Sequence, residues 1–273
     1  MLAGAVFKEM ADTVVTGDIR LPATILMPVD AGDVPIVVMV HGSGPLDRDE
    51  TIYENKPFRD IAEGLARKGI ATLRYDKRTF VYRQPVATMD DETILDALSA
   101  IRLARKYSTH VYLLGHSLGA MLAPLIAERA EKPLSGLIMM AAPARDMDVV
   151  VREQFDYLLP SGASDSFKEQ QIENLRQRSP HYLQPQGQTA AAQRLTLPML
   201  ILQGERDYQV TMQDFYLWQQ LLQGKKNATC KSYPRLNHPF MEGEGKSNPV
   251  EYQMKGHVAP YVIDDISAFI LQK

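Results

Sequence analysis

Five residues carry the strongest chemical signal in this chain: Gly115-His116-Ser117-Leu118-Gly119. A serine with glycines two positions before and after it, set where a strand turns at once into a helix, is lifted clear of the backbone as a nucleophile. Residues 110–114 read as that strand and residues 118–130 as that helix. Gly115 and Gly119 remove side chains that would clash with the neighbouring strand and helix. The helix start adds unpaired N–H groups and a partial positive charge, so the N–H of Leu118 is one expected donor to a developing oxyanion. A glycine-rich turn with an incidental serine would show the same five letters; the strand-to-helix setting argues against it. Pro124 falls inside the helix and is expected to kink it or perturb its first turns.

A tetrahedral intermediate needs a second N–H from a loop at the same sheet edge. The apolar run 36–40 leads into His41-Gly42-Ser43-Gly44-Pro45, whose glycines let the backbone turn an N–H toward a substrate oxygen. Ser43 is the expected donor, with Gly44 as the alternative. His41 lies too early to be the base and is expected to hold the loop by hydrogen bonding. The Gly42-Ser43-Gly44 segment lacks the third glycine of a dinucleotide fingerprint, and Pro45 follows it.

A serine on such a turn is followed along the chain by an acid and then a histidine. Asp207 closes Gly204-Glu205-Arg206-Asp207, just past the strand 199–203, and is the expected acid; Glu205 is its rival. Asp214 and Asp264 fall in helical stretches and read as solvated faces. His238, in the loop after strand 228–233, is the expected base, with His257 before the final helix as the fallback. His110, His116 and His181 read as structural, His116 packing beside the turn. In acyl transfer the imidazole takes the serine proton and returns it to the leaving group, while the carboxylate orients the ring.

These side chains need a scaffold. Residues 13–16 and 19–27 read as an antiparallel pair around Gly17 and Asp18. The run 36–40 suits a strand buried on both faces. A helix over 58–68 ends at Gly69, strand 70–75 follows, and 90–106 is helical, with Ile94, Leu98, Ile101 and Ala104 spaced by three and four. Strands at 137–140, 199–203 and 228–233 and a closing helix at 259–271 complete an α/β alternation, the pattern of a mostly parallel sheet with helices on both faces.

Residues 146–196 break that rhythm. They hold helix-like segments at 148–158 and 167–178, joined by a turn containing Pro160-Ser161-Gly162, and then a polar stretch rich in Gln and Ala. The chain thus divides into a core of 1–145 and 197–273 and a helical insertion of 146–196, read as a lid in preference to a mere surface excursion. Arg74-Tyr75-Asp76-Lys77-Arg78 is read as structural, Asp76 and its basic neighbours tying loops near His41, in preference to Arg74 or Lys77 meeting a substrate carboxylate. Asp47, Arg48 and Asp49 are read the same way.

Composition narrows the class. The 273 residues carry a net charge of −3 without a basic run, which argues against a nucleic-acid partner. Cys230 is the only cysteine, so no intrachain disulfide forms, which favours a reducing compartment. No apolar stretch approaches a membrane span, and residues 1–7 are too short for the apolar core of a signal peptide. The expectation is a cytoplasmic protein, with secretion left open for a chain whose leader was removed. Oligomeric state is not legible.

Taken in order, His41–Pro45, Gly115–Gly119, Gly204–Asp207 and Asn237-His238 resemble the α/β-hydrolase superfamily over nearly the whole chain. The stretches His41-Gly42-Ser43-Gly44-Pro45-Leu46-Asp47-Arg48-Asp49-Glu50, Asn55-Lys56-Pro57-Phe58 and Arg74-Tyr75-Asp76-Lys77-Arg78-Thr79 look like a bacterial subgroup of carboxylesterases, dienelactone-hydrolase-like proteins and serine aminopeptidase-like hydrolases. The resemblance implies the α/β-hydrolase fold with an eight-stranded, mostly parallel sheet. It also implies a Ser-His-Asp triad of Ser117, His238 and Asp207, no cofactor or metal, and hydrolysis of small-molecule esters more than peptides. The alternatives are an aminopeptidase-like or thioester hydrolase with the same triad, and a binding protein that kept the fold and lost catalysis.

Overall fold

The computed structural model describes residues 6–29, 32–159 and 164–272. Strands β1 (Phe7–Thr16) and β2 (Ile19–Pro28) pair antiparallel through the turn at Gly17 and Asp18, in register from Thr16 with Ile19 out to Phe7 with Pro28. Both outrun the expected spans, β1 by six residues: Phe7–Asp12 are mixed in polarity and give no strand signal of their own, so their conformation is set by pairing with β2.

The remaining strands are β3 (Ile36–Val40), β4 (Ala71–Tyr75), β5 (Val111–His116), β6 (Gly136–Met140), β7 (Met199–Gly204) and β8 (Ala228–Tyr233). They form one eight-stranded sheet in the order β1-β2-β4-β3-β5-β6-β7-β8. β2 meets β4 antiparallel, and every later pairing is parallel, so the expected mostly parallel sheet is present. Every residue of β3 through β7 is buried, as strands covered on both faces require.

The two faces alternate along β3. Ile36, Val38 and Val40 join a cluster with Ala97 and Ile101 of α3 (Leu95–Ala104), Leu122 and Ile126 of α4 (Leu118–Arg129), and Trp218 of α8 (Met212–Leu221). Val37 and Met39 join the opposite cluster with Phe58, Ile61 and Leu65 of α1 (Pro57–Arg67) and Val262 and Ile266 of α9 (Pro260–Leu271). Gly69, at φ +83°, follows the end of α1 as its spacing predicted.

Some helices depart from expectation. Residues 90–106 are two pieces, a π-helical turn at Asp90–Ile94 and then α3. Pro124 neither breaks nor ends α4, which runs unbroken through it. It costs one internal hydrogen bond, while Leu122 and Ile126 on either side of it are fully buried. A short helix, α2 (Arg78–Tyr82), was not expected.

Between β6 and β7 lie α5 (Met147–Leu158), α6 (Asp165–Arg178), a 3-10 turn at Pro180–Leu183 and α7 (Gln188–Arg194). The expected turn at Pro160-Ser161-Gly162 falls outside the described residues. The Gln- and Ala-rich stretch is helical as α7: Ala191 and Ala192 are fully buried, and Arg194 pairs with Glu128 of α4 at 2.7 Å. Asp214 corrects another expectation. It is not on a solvated face but completely buried in α8, accepting from the N–H groups of Ala144 and Arg145 at 2.9 Å each. Asp264 is exposed and pairs with Lys68. No helix among the described residues is long and apolar enough to cross a membrane.

Candidate active site

β5 ends at His116 and α4 begins at Leu118, so Ser117 alone makes the turn. It sits at φ 52°, ψ −117°, a conformation that side-chain-bearing residues adopt only where surrounding structure enforces it. The enforcement is visible. Ser117 N donates to Met140 O of β6 at 2.9 Å. A Cβ on Gly115 would stand 2.4 Å from Gly119 C and O, and one on Gly119 would stand 2.2 Å from Val40 O. Only glycine at both positions lets the turn close and sit against β3.

The loops after β7 and β8 bring the expected acid and base together. Arg206 N donates to Leu236 O at 2.9 Å, and a Cβ on Gly204 would meet that same carbonyl at 2.5 Å, so the two loops run in contact. His238 Nδ1 lies 2.6 Å from Asp207 Oδ2. Asp207 Oδ1 accepts from Gln209 N at 2.8 Å and Val210 N at 3.0 Å, and Gln203 Nε2 approaches Oδ2 at 3.3 Å. A carboxylate held this way accepts the Nδ1 proton and leaves Nε2 as the free lone pair of a neutral ring. His238 is set beside the turn by His116, whose Nε2 donates to His238 O at 3.0 Å and whose ring centroid lies 4.7 Å from that of His238.

The loop after β3 abuts the serine: a Cβ on Gly42 would stand 3.3 Å from Ser117 Cβ. The peptide groups on either side of Ser43 are taken up by buried or half-buried side chains. Gly42 N donates to Glu50 Oε1 at 2.7 Å, Gly42 O accepts from Lys77 Nζ at 2.9 Å, and Gly44 N donates to Tyr182 OH at 3.4 Å. Glu50 also faces His116, with Nδ1 3.0 Å from Oε2. Burial works against the charge on His116, but the Glu50 carboxylate outweighs it and holds the imidazole above its ordinary pKa. Burial likewise opposes the charge on Glu50, yet His116 and the Gly42 N–H hold it below the usual carboxylate range.

Above Ser117 opens a cavity of about 840 Å³. Ser43, Gly44 and Ser117 form part of its lining, Phe80 and Val86 one wall, and Met147, Val151, Leu175 and Tyr182 from the segment between β6 and β7 another. Asp207 and His238 are each 5% exposed, and neither belongs to that lining.

The remaining candidates resolve by position. Glu205 is exposed and accepts from Ser232 Oγ at 2.8 Å, away from His238. His257 is exposed and faces Asp60, and His110 is exposed at the far end of β5. His41 corrects the expectation of a loop-holding hydrogen bond. Among the described residues its Nε2 is buried without a partner, and its ring packs against Phe58 and edge-on to Tyr75, with centroids at 5.5 and 5.2 Å. The basic segment ties loops together as expected: Arg48 grips Asp76 through Nε and Nη2 at 2.9 and 2.8 Å, Arg74 pairs with Asp49, and Arg78 grips Asp96 at 2.7 Å.

Glu50, Glu92 and Tyr182 were not singled out from the sequence. Glu92 had a faint signal, an acidic triplet heading a helix, but its burial does not follow from that.

The alpha/beta hydrolase family model matches residues 37–252. Esterase EstD of Thermotoga maritima is 43% identical over 284 residues, covering 97% of this chain and 68% of that protein. Among solved structures, Est1E from Butyrivibrio proteoclasticus superposes with a TM-score of 0.65 at 19% identity, covering 96% of this chain and 98% of that one. A Pyrococcus furiosus esterase gives a TM-score of 0.68 at 16% identity, covering 97% and 91%. At such identities these structures speak for the fold alone. The sheet order, the family match over most of the length and the 43%-identical relative agree, and the chain belongs to the alpha/beta hydrolase family.

Proposed function

We propose that this protein is a serine esterase that hydrolyses small-molecule carboxylic esters through Ser117, His238 and Asp207. The observation that carries the reading is the strained Ser117 lining a cavity, with an imidazole paired to a buried carboxylate and packed against His116, the residue before the serine. The identity to Esterase EstD supports esters as the substrate class. His238 Nε2 takes the Ser117 proton as Oγ attacks the ester carbonyl. The protonated imidazole then gives that proton to the departing alcohol, and water repeats the sequence on the acyl-enzyme. Asp207 fixes the ring and stabilises its charged form.

The oxyanion is received by the N–H groups of Ser43 and Leu118. Gly44 is the weaker candidate, because its N–H is directed to Tyr182 OH. Residues 146–196 act as a lid whose inner face selects the acyl or alcohol group, since Met147, Val151 and Leu175 line the cavity. A single cysteine in the chain fits a reducing compartment such as the cytoplasm.

The test is a panel of p-nitrophenyl esters, acyl-CoA thioesters and aminoacyl anilides, run on wild type and Ser117→Ala side by side. The expected result is ester turnover by wild type, a loss of about 10⁴-fold or more in Ser117→Ala, and an unchanged circular dichroism spectrum. Wild-type rates in Ser117→Ala would refute the assignment, and a preference for thioesters or anilides would move the substrate class.

A further inference from the structure

The peptide groups around Ser43 are held by three buried or nearly buried side chains, and one of them comes from the segment between β6 and β7. Glu50 takes the N–H of Gly42, Lys77 donates to the carbonyl of Gly42, and Tyr182 takes the N–H of Gly44. Between these anchors the Ser43 N–H has no acceptor among the described residues. Tyr182 belongs to the 3-10 turn Pro180–Leu183.

A single carboxylate organises this arrangement. Glu92 Oε1 accepts from Lys77 Nζ at 2.6 Å and from Tyr182 OH, while Glu92 Oε2 faces His181 Nε2 at 2.8 Å. Lys77, Glu92 and His181 are all buried. Because the Tyr182 proton is directed to Glu92, its oxygen lone pair is left to receive the Gly44 N–H. Glu92 therefore connects two residues of the 180–183 turn to the lysine that holds the loop. The loop needs such restraint: two glycines flank Ser43, and Gly44 lies at φ +90°, so its peptides are free to rotate unless side chains pin them. An oxyanion donor acts only when it is aimed before the charge develops.

We propose that Tyr182 is a positioning residue that aims the Ser43 amide, and that Glu92 couples docking of the 180–183 turn to the loop after β3. The proposal rests on the esterase reading above. Tyr182 also lines the cavity, so the test must separate aiming an amide from shaping a wall.

Tyr182→Phe makes that separation. It keeps the ring, whose centroid lies 4.7 Å from that of His181, and removes only the hydroxyl. On p-nitrophenyl butyrate, kcat is expected to fall about tenfold with KM within about twofold, less than the loss of a whole oxyanion donor. Affinity for a boronic acid, which forms a tetrahedral adduct on the serine, is expected to weaken in step with kcat. Amide hydrogen exchange in a peptide spanning residues 42–45 is expected to quicken. Unchanged kcat and boronate affinity would overturn the proposal. So would a rise in KM alone, which would make Tyr182 a wall of the cavity. If wild type neither turns over esters nor is labelled by an organophosphate, the esterase reading is what fails. The exchange measurement still decides the coupling in that case, since unchanged protection of residues 42–45 in Tyr182→Phe would end it.

Discussion

His41 and His116 flank the loop after β3 and the Ser117 turn, and burial drives both toward the neutral ring; only one has a partner that reverses it. Burial pulls His41 down to about 4, with its ring packed against Phe58 and Tyr75, whereas Glu50 keeps His116 above its ordinary value. The linkage signs are opposite. For His41 the folded pKa lies below the unfolded 6.5, so the unfolded chain takes up the proton first as pH falls. The stability it confers is present above pH 6.5 and is lost as pH falls toward 4. His116 contributes most at low pH, and its share fades as pH rises through its raised folded pKa. His41→Asn should therefore flatten the acid limb. Between pH 7 and pH 4.5, wild type is expected to lose about 2 kcal/mol more unfolding free energy than the variant. Urea melts at the two pH values measure it, and parallel losses would show that His41 does not stay neutral in the fold.

Elements meet at this site through backbone contacts that leave no room for substitution. The Ser117 turn presses on β3 through Gly119, and the two loops carrying Asp207 and His238 press on one another through Gly204. Helix α8 plays a comparable role for the chain leaving β6. Asp214 takes the N–H groups of Ala144 and Arg145 and pairs with the Arg145 guanidinium at 2.7 Å, while Arg145 also reaches Glu153 of α5. That fastens the start of the helical segment to the sheet. Asp214→Ala would leave two N–H groups and much of a guanidinium charge without a partner where water has little access. A loss of about 3 kcal/mol is expected, read as a fall in the denaturant midpoint at constant slope. A change below about 1 kcal/mol would show that the region rearranges.

At the scale of the whole molecule, the cavity is lined both by loops of the core, through Ser43, Phe80 and Ser117, and by the segment between β6 and β7. Its reactive end is built from the core and its far wall from α5 and α6, through Met147, Val151 and Leu175. Reactivity and selectivity should then be separable. Leu175→Trp fills cavity space from a half-buried helical position. It is expected to raise KM for p-nitrophenyl esters of long acids about tenfold while acetate stays within about twofold, since each apolar methylene is worth only a modest factor. A chain-length series on both proteins reads this, and equal losses on short and long esters would place Leu175 in the reactive end instead.

The sequence by itself determined most of the strands and the chain order of the candidate residues. Runs such as Ile36–Val40 and Ala228–Tyr233 are strands to the residue, because continuous or alternating apolar patterns report burial locally. Ser117, Asp207 and His238 stand out as candidates in the sequence because each follows a strand at the same sheet edge, and chain order alone ranks them. What needed the tertiary structure was every feature set by partners distant in sequence. Asp214 read as solvated because a polar residue at helical spacing gives no sign of the two amides waiting 69 and 70 positions away. His41 read as a hydrogen-bonding residue because nothing local shows Phe58 and Tyr75 enclosing it. Glu92 and Tyr182, 90 residues apart, acquire meaning only where the π-helical turn and the 180–183 turn meet beside Gly44. Local pattern encodes which side of an element is dry; which buried charge meets which loop is fixed only when the elements pack.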